Sequence, residues 1–168
     1  HSFRSVSLAI AVVIMVYTIY MKRRIVLLLG TVLAIVAIFV TKGNKTHIQM
    51  LSIGPHTFQV TIADTDKKRE RGLSNNTTLG NDDGMYFLFS TPDSYTFWMK
   101  DMRYDLDFIY IKENKVIYII TNVPSPAHNS GKIAIVKSPV AFDGVIEVKA
   151  GFVQKWGIDK GQKAVLNK

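Results

Sequence analysis

The stretch that decides the fold is Leu106-Asp107-Phe108-Ile109-Tyr110-Ile111, followed by Lys112-Glu113-Asn114-Lys115 and then Val116-Ile117-Tyr118-Ile119-Ile120-Thr121. Two runs rich in β-branched and aromatic residues, joined by a short polar turn at Glu113-Asn114-Lys115, read as a β-hairpin. Side chains alternate along a strand, so Asp107 shares a face with Ile109 and Ile111, opposite Leu106, Phe108 and Tyr110. Outward from the hairpin the pattern repeats. Residues 47–53 and 56–63 flank Gly54-Pro55 as a further hairpin, and 85–89, 94–99, 133–136, 144–149 and 164–166 read as strands between turn signals. Two short helices are predicted: 66–71, capped by Thr65 or Asp64 and stopped at Gly72, and 152–156, stopped at Gly157. No amphipathic stretch of crossover length separates the strands, which disfavours a doubly wound α/β fold. The predicted class is mainly β, a compact antiparallel sandwich or partly closed barrel with one or two short helices. The longest irregular stretch, 122–132, has the length at which loops are often functional or mobile.

Before this domain the sequence changes character. Residues 6–21 and 25–40 are uncharged apolar runs separated by Lys22-Arg23-Arg24. As a helix each spans about 24 Å against a hydrocarbon core of about 30 Å, a gap that snorkelling bases and local thinning close. From Met21 the chain reads Met-Lys-Arg-Arg, an apolar run, then Thr41-Lys42-Gly43-Asn44-Lys45, the layout of an export signal or signal anchor. The expected organisation is 1–20 as upstream or extra apolar sequence, with Met21 the better start. Residues 21–40 follow as a transmembrane signal anchor, 41–45 as a linker and 46–168 as the β domain. No small-x-small site follows Val40, so the anchor is expected to stay uncleaved, and the bases before it point the domain to the extracytoplasmic side of the cell membrane.

Charge and cysteine narrow the function classes. The net charge of +8 is largely that of the N-terminal segment, where Arg4, Lys22, Arg23, Arg24 and Lys42 face no acid. The domain shows no basic stripe interleaved with stacking aromatics, so nucleic acid is not an expected partner. With no cysteine in the chain, thiol nucleophiles, disulfides and cysteine-ligated metals drop out. His47, His56 and His128 are scattered without ligand spacing, and no phosphate loop, dinucleotide fingerprint or Gly-x-Ser-x-Gly occurs, so neither a metal nor a cofactor is expected.

The ordered motifs Glu70-Arg71-Gly72-Leu73, Gly84-Met85-Tyr86-Phe87-Leu88-Phe89, Phe97-Trp98-Met99-Lys100, Leu106-Asp107-Phe108-Ile109 and Glu147-Val148-Lys149-Ala150-Gly151 carry a family resemblance. Over about residues 58–166 the chain resembles the prokaryotic family called domain of unknown function 192. The resemblance implies a compact, mainly β, sandwich-like fold, often behind an export signal, and no established reaction. The chain departs from the family pattern at Asp101-Met102, where Asn-Thr is usual. It departs again at Asp105 in place of a common proline, and at Ser74 in place of a methionine.

Charges set among aromatics mark the candidate site, because a buried charge needs a partner or a purpose. Trp98 and Lys100 share one strand face, and Phe97, Met99 and Asp101 the other. Burial is the commoner outcome for a large aromatic, with Lys100 snorkelling past Trp98. If Phe97 and Met99 point inward instead, Trp98 and Lys100 form an exposed shelf for a sugar ring or other flat group. Asp107 is expected to have a partner: Arg71 first, Lys100 second, or backbone amides at a turn. Glu70 and Glu147 are expected to face solvent, Glu147 beside Lys149. The function these residues suggest is a membrane-anchored module that binds a small ligand or envelope glycan through Arg71, Trp98, Lys100, Asp101 and Asp107. Two alternatives are an acid/base hydrolase or lyase using Asp101 and Asp107, and a structural or partner-binding module of an envelope assembly.

Overall fold

The computed structural model describes residues 2–41 and 48–167, and within the first span the side chains of 14–35. The chain divides into two compact units, with the boundary between Lys45 and Thr46. The first carries a single helix, α1 (Ser2–Thr41), which runs through Lys22-Arg23-Arg24 without a break. Among the described residues no helix is long and apolar enough to cross a membrane. The three bases lie at the middle of the 14–35 segment, and the apolar 25–40 run ends outside it.

The second unit is mainly β. Its elements are β1 (Ile48–Ile53), β2 (His56–Ala63), α2 (Asp66–Arg71), β3 (Asp83–Asp93), β4 (Thr96–Trp98), β5 (Leu106–Lys112), β6 (Lys115–Val123), a 3-10 turn (Pro126–His128), β7 (Ile135–Lys137), β8 (Phe142–Lys149), α3 (Phe152–Trp156) and β9 (Ala164–Asn167). Seven strands form one curled half-barrel sheet in the order β6-β5-β8-β3-β2-β1-β9, and β4 and β7 form a separate two-stranded ribbon. The local punctuation works as the sequence predicts. Thr65 Oγ1 accepts from the Lys68 amide and Gly72 ends α2. Glu113 and Asn114, with φ of 50° and 59°, form the two-residue turn that joins Lys112 to Lys115 across the β5-β6 hairpin.

Of the two expected architectures the curled sheet agrees with the partly closed barrel, and two features depart from the antiparallel sandwich. One curled sheet with a small ribbon replaces two facing sheets, and β2 and β3 pair in parallel, Gln59 to Ala63 against Asp83 to Phe87. The segment between them, which contains α2, is long enough to return the chain to the starting end of the sheet, as parallel pairing requires.

The central strands β3, β5 and β8 are apolar on both faces, which is why they read as nearly continuous hydrophobic runs. On one face Tyr86, Ile109, Ile111, Ile146 and Val148 join Leu51, Ile53, Phe58 and Phe152 in a core closed by α3. On the other, Phe87, Leu106, Phe108, Tyr110, Phe142 and Val145 pack with Met99 and Met102 under the β4-β7 ribbon. Gly144 on β8 marks where the first core has no spare room. A Cβ there would stand 2.6 Å from the Tyr86 ring, and Tyr86 is itself buried. Gly144→Ala is therefore expected to cost about 1–3 kcal/mol, as over-packing does, read as a lower urea midpoint at unchanged slope.

Candidate functional site

The ribbon and α2 stand over the second core and leave a cleft of about 630 Å³ between them. Alternation along the ribbon sets its inner and outer surfaces. Phe97 pairs with Val136, which is buried, while Trp98 pairs with Ile135, and both of these are exposed, at 56% and 74%. Trp98 thus points out, against the commoner burial of a large aromatic. Its strand belongs to a ribbon with water on one side, and Phe97 and Met99 take the inward positions. Lys100 stays with it, its Nζ 5.6 Å from the Trp98 ring centroid, a cation held on an aromatic face at the lip of the cleft.

The wall facing the ribbon comes from α2 and β3. Arg69 donates to the Leu88 carbonyl at 2.7 Å and to Asp66 at 2.6 Å, and its guanidinium lies 5.2 Å from the Phe89 ring centroid. Arg71, at the end of α2, is exposed and lines the cleft, its guanidinium without a hydrogen bond or ion pair among the described residues. Glu70 lines it too and is exposed, as expected. Phe87, Phe89, Tyr95 and Phe97 supply aromatic rings, with Phe89 and Tyr95 stacked at 4.0 Å. Ser74 Oγ donates to the Lys100 carbonyl and the Asn75 amide to the Asp101 carbonyl, tying the turn after α2 to the turn after β4.

At the floor is Glu147. The sequence reading set it facing solvent beside Lys149; the structure places it at 5% exposure. The reason is its strand. β8 lies between β3 and β5, and Glu147 sits opposite Met85 on one side and Phe108 on the other, so its face is covered. Its carboxyl lines the cleft and has no hydrogen-bond or ion-pair partner among the described residues. Burial pushes its pKa up to about 8, so it is largely protonated at neutral pH. Tyr110 is buried and Tyr104 half-buried, and the buried hydroxyl of each finds no partner among the described residues. Burial raises both phenols, Tyr104 to about 12, and the Glu147 charge is the second cause in each. The signal for Glu147 was in the sequence: Val145-Ile146-Glu147-Val148 is apolar on both sides of the acid, the mark of a strand covered on both faces.

The other predicted site residues do not converge. Asp107 is 0% exposed, on the opposite face of the sheet, and its two oxygens accept from the backbone amides of Asn122 at 2.9 Å and Val153 at 3.1 Å. It thereby caps the start of α3 and the end of β6, with neither Arg71 nor Lys100 as its partner. Asp101 is exposed at a turn with φ of 58°, a left-handed conformation that asparagine and aspartate tolerate, and it does not line the cleft. An acid/base pair of Asp101 and Asp107 is therefore not formed in an open cleft. Asp105, the residue at the family's proline, accepts from the Ser125 amide at 2.7 Å and pairs with His128 at 2.9 Å, which fixes the long 122–132 loop to the start of β5. His47 lies outside the described residues, and among those described no group of three metal-ligating side chains occurs.

The comparisons with known proteins agree with this architecture. Residues 48–166 match the family domain of unknown function 192, described as an uncharacterized ACR. A solved protein of Novosphingobium aromaticivorans, described as of unknown function, is 26% identical with a TM-score of 0.65, covering 74% of this chain and 89% of its own. A solved protein of Sinorhizobium meliloti, described as a candidate transcription regulator, is 24% identical with a TM-score of 0.65, covering 72% of this chain and 95% of its own, and supports the fold. No curated protein matches the chain.

Proposed function

The chain belongs to the domain of unknown function 192 family, and on that footing we propose that its β unit is a small-ligand-binding module whose ligand enters the cleft between α2 and the β4-β7 ribbon. The observation that carries this is Glu147, a carboxyl at 5% exposure without a partner, lining a cleft whose walls are aromatic. Burying an unpaired polar group opposes folding, and such a group belongs where a ligand completes it. A cavity of this size, mostly apolar with a few convergent polar groups, is the usual form of a small-molecule site. Trp98 at the lip supplies a stacking surface for a ring, a sugar of an envelope glycan included, and Arg71 supplies a free guanidinium at the rim. The exposed pair Trp98 and Ile135 flanks a pocket, which favours this reading over a bare partner-docking face.

We further propose a membrane tether, with the unit on the extracytoplasmic side. The apolar 25–40 run behind Lys22-Arg23-Arg24 supports it. Resistance of the full chain to alkaline carbonate extraction, with protease access from outside the cell, is the expected result; release into the soluble fraction would overturn it.

Binding is tested by a thermal-shift screen of ring-bearing amines, alcohols, acids and sugars. Trp98→Ala is expected to abolish the ligand-induced shift while changing the ligand-free stability by less than about 1 kcal/mol, because an exposed side chain contributes little to the core. A variant that melts lower yet keeps the ligand shift would remove Trp98 from the site.

A further inference from the structure

Resting on the ligand-binding reading above, we propose that the cleft selects an organic cation: an ammonium group carried on a ring or apolar body, held between the Glu147 carboxylate and the aromatic walls. Three independent observations converge on a positive ligand. The floor group is an acid at 5% exposure without a partner, and a carboxylate is an acceptor that an ammonium can satisfy. The walls are rings, and a ring face attracts cations through its quadrupole. The structure already shows two cations using such faces at this cleft, Arg69 on Phe89 at 5.2 Å and Lys100 on Trp98 at 5.6 Å.

The charges around the cleft leave room for this. Among the α2 residues that line the cleft, Asp66 and Glu70 balance Arg69 and Arg71, and Lys100 at the lip is held over the Trp98 ring. Arg69 is committed to Leu88 and Asp66 and does not reach the floor acid. On β8, Lys149 shares the Glu147 face, but its Nζ donates to Asn81 at 3.1 Å and lies 5.4 Å from the Tyr104 ring centroid. No base is therefore paired with Glu147 among the described residues. A bound ammonium would supply the missing countercharge, and the carboxyl would ionise as it binds.

Proton release distinguishes this from binding of a neutral group. Benzylamine, benzyl alcohol and benzoate present one ring with cationic, neutral and anionic heads. Calorimetry at pH 7 in two buffers of different ionisation enthalpy is expected to show benzylamine binding at least tenfold tighter than benzyl alcohol, with release of about one proton. Glucosamine against glucose repeats the comparison for a sugar body. Glu147→Gln is expected to equalise benzylamine and benzyl alcohol and to abolish the proton release, while its melting temperature confirms that it folds. Equal binding of amine and alcohol by the unmodified protein, or an amine preference that survives Glu147→Gln, overturns the cation inference and leaves the cleft a binding site. Failure of all the probes to bind, or binding indifferent to Trp98→Ala, overturns the binding reading itself.

Discussion

Glu147→Gln is expected to stabilise the protein at pH 8 by up to about 4 kcal/mol and to leave it nearly unchanged below pH 4.5. The folded carboxyl titrates at about 8 against an ordinary 4.5, so between these values the folded state holds a proton that the unfolded state has released. Stability is then fully present below 4.5 and falls as pH rises, by about 1.4 kcal/mol per pH unit for one proton. Glutamine keeps the shape and cannot ionise, so it removes the slope. The measurement is urea unfolding of both proteins from pH 4 to 8, read as a difference so that other groups cancel. Parallel curves would mean that Glu147 is charged and partnered in the folded protein. A substitution that strengthens a fold at its cleft floor is the signature of a residue kept for a task other than stability.

Asp107→Ala is expected to destabilise by about 3–5 kcal/mol, although it touches no part of the cleft. The carboxylate accepts from two buried amides, Asn122 and Val153, and methyl leaves both without a partner, at about 1–3 kcal/mol each. Asp107→Asn keeps one accepting oxygen and is expected to lose roughly half as much. Denaturant unfolding gives the size, and hydrogen exchange gives the place, with protection lost first at the amides of Asn122 and Val153. A loss below about 1 kcal/mol would show that water or a backbone shift satisfies those amides in its absence.

Which parts of this could be read beforehand follows from the range of the forces involved. The ends of α2 and α3 and the β5-β6 turn are set by neighbours in sequence, Thr65, Gly72, Gly157 and Glu113-Asn114, and all were legible. The parallel pairing of β2 with β3 was not, since it depends on where the 64–82 segment returns the chain. Trp98 illustrates a general preference overridden by topology: the ribbon has one wet face, and alternation gave that face to Trp98. Glu147 illustrates the converse. Read as one charge beside Lys149 it looked solvated, but strand order puts β3 and β5 on either side of it. Of the residues first drawn together as a site, Arg71 and Trp98 line the cleft, Lys100 stands over Trp98 at its lip, and Asp101 and Asp107 serve the turn and the first core.

The account rests on a protonated, unpartnered carboxyl at the floor of the cleft, and the direct measurement is a carbon-13 NMR titration of the Glu147 side-chain carboxyl in the ligand-free protein, assigned by its disappearance in Glu147→Gln. A midpoint near 8 is the predicted result, and a midpoint in the ordinary range around 4.5 would contradict it.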